Sequence, residues 1–202
     1  VLGRRSRFPR PCAVTSIGSN VWLPIALSLV AFGSFSWAVC GHFETSIRIP
    51  YGMRLLSFFS FFSYMTYLGL LIWRGCAAPL WTILGLAGFA VSITLFWWTV
   101  ITTRPHRLAL AYTDADPDII YVEGPYAKVR HPFYLSYIVF WLATALVADQ
   151  WQWAPALILI FWYVRVARGE ERRFRSSALS TAYDAYRGRT GMFLPRLGPG
   201  RR

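Results

Sequence analysis

Five apolar runs, at 21–41, 51–73, 79–101, 133–148 and 151–167, leave this chain few folds to choose from. A helix needs about 20 apolar residues to cross the hydrocarbon core of a bilayer, and the first three runs meet that length. Only 15% of the residues are charged, and they are gathered between and after the runs. A water-soluble domain carries about 25% and spreads them over its surface. The expectation is therefore an all-α polytopic membrane protein with about five transmembrane helices and a cytoplasmic, amphipathic C-terminal tail. The fourth run has 16 residues, about 24 Å of helix. With Asp149-Gln150 as a tight turn, runs four and five read as a hairpin that only just spans, or is tilted and buried against its neighbours. Gly85 and Gly88 in the third run allow close helix approach in lipid. Trp97, Trp98, Trp151 and Trp153 suit the headgroup level.

Three regions follow. Residues 1–19, with Arg4, Arg5, Arg7 and Arg10, read as a flexible basic tail; 20–101 as three membrane helices; and 102–202 as a loop, a helical hairpin and a tail that hold most of the polar residues. The first run is too long and bulky for a signal peptide, and no small-residue cleavage site follows it. With five crossings and the C-terminus inside, sixteen of the 21 Lys and Arg residues fall on the inner side, which is the orientation that positive loops favour. The N-terminal arginines then fall outside, a mismatch that a four-crossing arrangement removes. The expected location is the cytoplasmic membrane. Loop 102–130 and the tail after Arg168 would share its cytoplasmic face.

A net charge of +12 would point a soluble protein towards nucleic acid. Here the cations flank apolar runs, so the expected partner is membrane lipid and not nucleic acid. Cys12, Cys40 and Cys76 are far apart, as are His42, His106 and His131, and no ligand spacing for a metal results.

Two polar clusters stand out. Gly124-Pro125-Tyr126 reads as a turn, and His131-Pro132 as a helix start, because proline is pre-organised for the first helical position. Arg130 and His131 beside such a start either anchor it at the interface or hold a polar ligand. The second cluster contains Arg165, Arg168, Glu170, Glu171, Arg172 and Arg173. Spacing alone allows a solvated salt-bridge network or a ligand pocket in which a carboxylate meets an ammonium and an arginine meets a carboxylate. Phe174, Leu179, Tyr183 and Tyr186 then form an irregular helical face that lies on the membrane or caps a pocket.

Gly124-Pro125-Tyr126, Val129-Arg130-His131-Pro132-x-Tyr134-Leu135, Glu170-Glu171, Tyr183-x-x-Tyr186 and Phe193-Leu194-Pro195 occur in an order that resembles one family. It is that of the isoprenylcysteine carboxyl methyltransferases and phospholipid methyltransferases, integral membrane enzymes that use S-adenosylmethionine. The resemblance covers about residues 120–197. It implies a cytoplasmic cofactor pocket closed by the tail, with a lipophilic substrate arriving from the bilayer. By position, Gly124, Tyr126, Arg130, His131, Tyr134, Glu170 and Glu171 would bind the cofactor. Arg168 or Arg165, with Glu171, would serve the reaction itself. The chain departs from the family at Ser136-Tyr137, where many relatives carry glycine.

Methyl transfer from a sulfonium is an in-line displacement, so such an enzyme mainly positions two reactants and excludes water. A carboxylate acceptor is already a nucleophile, whereas an amine or thiol would need a base such as Glu170, Glu171 or His131. Carboxyl O-methylation of an isoprenylcysteine-like substrate ranks first, and phospholipid N-methylation or another small acceptor second. The rival from another class is a non-catalytic helical protein, such as a transporter subunit or scaffold. No ionisable residue lies at mid-depth in the first three runs, where a conduction path would place one.

Overall fold

The computed structural model of the protein describes residues 20–43, 49–108, 111–112 and 117–196; the basic segment 1–19 and residues 197–202 lie outside these. The described chain is all-helical. Helices α1 (Trp22–Gly41), α2 (Tyr51–Arg74), α3 (Pro79–Thr103), α4 (Pro132–Val147) and α5 (Trp153–Ser176) coincide with the five apolar runs, and a short α6 (Ser180–Arg189) follows. Three of them, α1 to α3, are long and apolar enough to cross a membrane. At 16 residues, α4 is shorter than a full span. Helix α5 runs nine residues past the apolar stretch that ends at 167. Arg and Glu are good helix formers, so the polarity that ends the apolar run does not end the helix.

Helix α4 is the centre of the bundle, with Phe140, Trp141, Ala143, Thr144 and Val147 all buried. Gly85 and Gly88 of α3 face it. A Cβ at Gly85 would lie 2.3 Å from Val147 Cγ2 and 2.9 Å from the Ala143 carbonyl oxygen, and one at Gly88 would lie 2.9 Å from Ala143 Cβ. The expected close approach is therefore made by α3 onto α4. Polar groups inside the bundle find partners across helices: Ser92 Oγ donates to the Ser136 carbonyl at 2.8 Å, and Ser28 Oγ meets Tyr64 OH at 3.1 Å. Such bonds matter where no water competes.

The ends of the bundle differ. One carries the exposed tryptophans Trp22, Trp73, Trp81 and Trp151 and the Arg74–Asp149 ion pair at 3.0 Å. Around Asp149 the turn between α4 and α5 includes one turn of 3-10 helix, Gln150–Gln152, whose Trp151 amide bonds to the Asp149 carboxylate. The other end gathers the C-termini of α1, α3 and α5 and the N-termini of α2 and α4. There His42 Nε2 meets Thr103 Oγ1 at 2.8 Å, tying the ends of α1 and α3 together.

Gly85→Ala should lower the melting temperature in detergent, because overpacking a tight helix contact costs about 1–3 kcal/mol. Gly69→Ala in α2, where nothing lies within 4 Å of the added methyl, should leave the melting temperature unchanged or raise it.

Candidate functional site

Gly124 sets the approach to the site. Its φ is +56°, and an added Cβ would lie 2.5 Å from Thr102 Oγ1, so both conformation and space call for glycine. One turn of 3-10 helix, Gly124–Ala127, follows and buries Tyr126. The chain then runs beside the C-terminal strap. Val129 bridges to Gly191, the Arg130 amide donates to the Gly191 carbonyl at 2.9 Å, and the His131 amide to that of Met192 at 3.2 Å. Tyr186 OH donates to the Tyr126 carbonyl at 2.7 Å, so α6 clamps the same turn. Pro132 occupies the first turn of α4, as its fixed φ favours.

Side chains from three segments converge here. Arg130 is enclosed, with 7% of its side chain exposed. Its Nη2 lies 2.6 Å from Glu171 Oε1, its Nε donates to the same oxygen at 2.8 Å, and its Nη1 donates to the Thr190 carbonyl at 2.5 Å. Glu171, 8% exposed, also has Arg187 Nε 3.8 Å from Oε2. His131 lies between the two glutamates: Nδ1 is 3.5 Å from Glu170 Oε2 and Nε2 is 3.5 Å from Glu171 Oε1. Nε2 has no hydrogen-bond partner. Tyr134 OH donates to Glu170 Oε1 at 2.5 Å, yet 31% of the Glu170 side chain stays open. The two adjacent carboxylates thus differ: Glu171 is locked into the protein, while Glu170 faces a cavity.

That cavity has a volume of about 260 Å³. Its polar end is formed by Tyr126, Arg130, His131, Tyr134, Glu170 and Arg173, and its other end by Phe32, Phe35, Leu56, Tyr137, Trp141 and Tyr163. From His131 to Trp141 it follows α4 for about 15 Å, at 1.5 Å per residue. Ser36 of α1 and Ser57 of α2 line it and are themselves exposed, so it reaches the lateral surface between those helices.

The structure brings Tyr126, Arg130, His131, Tyr134, Glu170 and Glu171 together; Gly124 packs against Thr102 of α3 and does not line the cavity. Arg165 and Arg168 are elsewhere. Both are exposed on α5 and absent from the cavity wall, and the Arg165 guanidinium lies 5.8 Å from the Phe161 ring centroid. Arg173 and Phe174 line the cavity instead. They stand three and four positions after Glu170, on one helical face, a signal available once α5 is carried through to Ser176. Tyr121 and Tyr163 also line the cavity without any local pattern to mark them, and Tyr137 stands out in the sequence only as part of the Ser136-Tyr137 departure from the family pattern.

The electrostatics follow from the geometry. Burial disfavours the charge on Glu171, but His131 and Arg130 outweigh it and draw the carboxyl down to about 2. Burial likewise works against a charged His131, yet the two glutamates hold its pKa above the usual value. Burial raises the Tyr126 hydroxyl well above its ordinary range.

These opposite shifts define a pH window. Glu171 contributes stability above its ordinary value of 4.5, and loses it as pH falls towards 2. His131 contributes below its ordinary 6.5, and loses it as pH rises through its higher folded value. A detergent melting curve should therefore fall off on both sides of about pH 4.5–6.5. In His131→Gln the alkaline decline should disappear and the acid one should weaken, because Arg130 alone then holds the Glu171 carboxyl down.

No protein-family model matches this chain, and neither a curated protein nor a solved structure does.

Proposed function

We propose that the chain is an integral membrane methyltransferase that transfers a methyl group from S-adenosylmethionine to a lipophilic or lipid-anchored acceptor, with carboxyl O-methylation of an isoprenylcysteine-like acceptor as the reaction. The observation that carries this reading is the two-ended cavity: one chamber joins a charged, hydrogen-bonding end to an aromatic limb open between α1 and α2. A polar donor and an apolar acceptor have to meet in such a chamber. The partly open Glu170 carboxylate and the positive charge of Arg130 and His131 beside it suit a ligand that carries an ammonium and a carboxylate.

When bound, S-adenosylmethionine supplies an electrophilic methyl group on a sulfonium. The chain's own residues hold and shield. Glu170, fixed by Tyr134 and flanked by His131, takes the ammonium, and Tyr126 offers an aromatic wall to a planar base. Glu171 positions Arg130 and His131 and does not line the cavity. Arg173 lines the cavity one helical turn from Glu170, whereas Arg130, the other arginine there, is taken up by Glu171; we assign the acceptor carboxylate to Arg173 in place of Arg165 or Arg168. A carboxylate needs no general base, so the remaining task is proximity and exclusion of water. Tyr137, Tyr163 and Trp141 do the excluding. In this reading all five long helices cross or line the bilayer and the site faces the cytoplasm, supported by the excess of Lys and Arg at that end.

S-adenosylhomocysteine should raise the melting temperature of the detergent-purified protein in a saturable way, by the equivalent of about 2.7 kcal/mol at a hundredfold excess over Kd. Glu170→Gln should keep most of the ligand-free stability and lose this response. No response in the unaltered protein, with lipid supplied, would sink the proposal. Label from radiolabelled donor on a membrane extract should be base-labile, as an ester is; a base-stable product would move the acceptor to an amine.

A further inference from the structure

We infer that the cleft formed by Arg104, Pro105, His106 and Arg107 against Asp118 and Ile119 binds the phosphate group of a membrane phospholipid. The site is separate from the polar end of the main cavity and does not rest on the methyl-transfer reading. Helix α3 stops at Thr103, and Pro105, which lacks an amide donor, prevents its continuation. Two guanidiniums and an imidazole are thereby presented within four residues. The Tyr121 hydroxyl donates to the His106 carbonyl, which closes the loop back on itself and holds the 118–119 wall opposite the cations. Asp118 is the single carboxylate in the cleft, so its balance stays positive. Among the described residues no ion pair joins Arg104 or Arg107 to a carboxylate. Their field is felt nearby: after burial, Arg107 and Arg104 are what draw the His42 pKa down.

Position selects the ligand's source. The exposed Trp98 stands six residues before Arg104 on α3, about 9 Å along the axis. Tryptophan favours the membrane interface, so the cleft lies one step outward, at the level of lipid phosphates. Guanidinium forks match phosphate oxygens in pairs. Asp118 and Ile119 also line the main cavity, so a headgroup held in the cleft would rest against the outer side of the wall that encloses it.

Native mass spectrometry of the full chain, released from nanodiscs containing phosphatidylglycerol, phosphatidylethanolamine or diacylglycerol, tests this. The unaltered protein should retain one phospholipid and no diacylglycerol. Arg104→Gln/Arg107→Gln should lower that retention by about tenfold or more. Arg54→Gln/Lys128→Gln, which removes the same charge at the same end but outside the cleft, should retain lipid as the unaltered protein does. Equal retention by both double variants, or equal retention of diacylglycerol, would overturn the site. Displacement of the lipid by millimolar inorganic phosphate would overturn the lipid as its source. The melting response to S-adenosylhomocysteine, read in the same Arg104→Gln/Arg107→Gln protein, should persist. Its presence shows the variant folded and separates a failure here from a failure of the methyl-transfer proposal.

Discussion

The ion pair between Arg130 and Glu171 joins three pieces of chain that are far apart in sequence: the loop before α4, the polar end of α5, and the strap after α6. Both partners are nearly closed to solvent, and burying two charges is costly unless every donor and acceptor is used. The cost is offset by three close contacts, with Nε and Nη2 on one carboxylate oxygen and Nη1 on the Thr190 carbonyl. An apolar pair of equal volume would serve stability as well or better. What the charged pair adds is orientation. Once Glu171 is held by Arg130, the rotation of α5 is set, and the next carboxylate, Glu170, turns towards the cavity. His131 lies within ion-pair distance of both, so the locked residue and the available one form a single electrostatic unit.

The bundle was largely legible in the sequence because long apolar runs separated by polar segments leave little room for error. The start of α4 at Pro132, the turn at Asp149 and the packing role of Gly85 and Gly88 all follow from residue chemistry that acts locally. The site was legible as a set of residues and less so as a geometry. Spacing along a chain does not give the rotation of a helix, so Glu170 and Glu171 looked alike and Arg165 and Arg168 looked as well placed as Arg173. Ending α5 with its apolar run hid the periodicity that separates them: Arg173 shares a face with Glu170, whereas Arg165 stacks on Phe161 at the outer surface. Other partners could not be read at all. Arg130 bonds to the Thr190 carbonyl and His131 to that of Met192, and a backbone carbonyl leaves no trace in residue identity.

The short α4 explains why a polar cluster can sit inside so apolar a bundle. Its contacts with α3 fix the relative level of the two helices: Val147 lies against Gly85, Ser92 bonds to the Ser136 carbonyl, and the Phe96 and Phe133 rings are 5.6 Å apart. Helix α3 then continues seven residues beyond Phe96, to Thr103, about 10 Å further. Helix α4 therefore begins about two turns below the end of its neighbour. Helix α3 overhangs it by about as much at the opposite end, where Val147 closes α4 at Gly85, six residues after Pro79. The shortfall is thus shared, and part of it falls at the end that holds the cavity. Arg130, His131 and Tyr134 start inside the bundle rather than at its rim, with the 117–131 loop and the strap laid over them. A fourth helix of full length would carry the same residues out to the interface, where water would screen their charges and the cavity would lose its polar end. The length of one helix thus decides whether this cluster acts as a membrane anchor or as the closed end of a site.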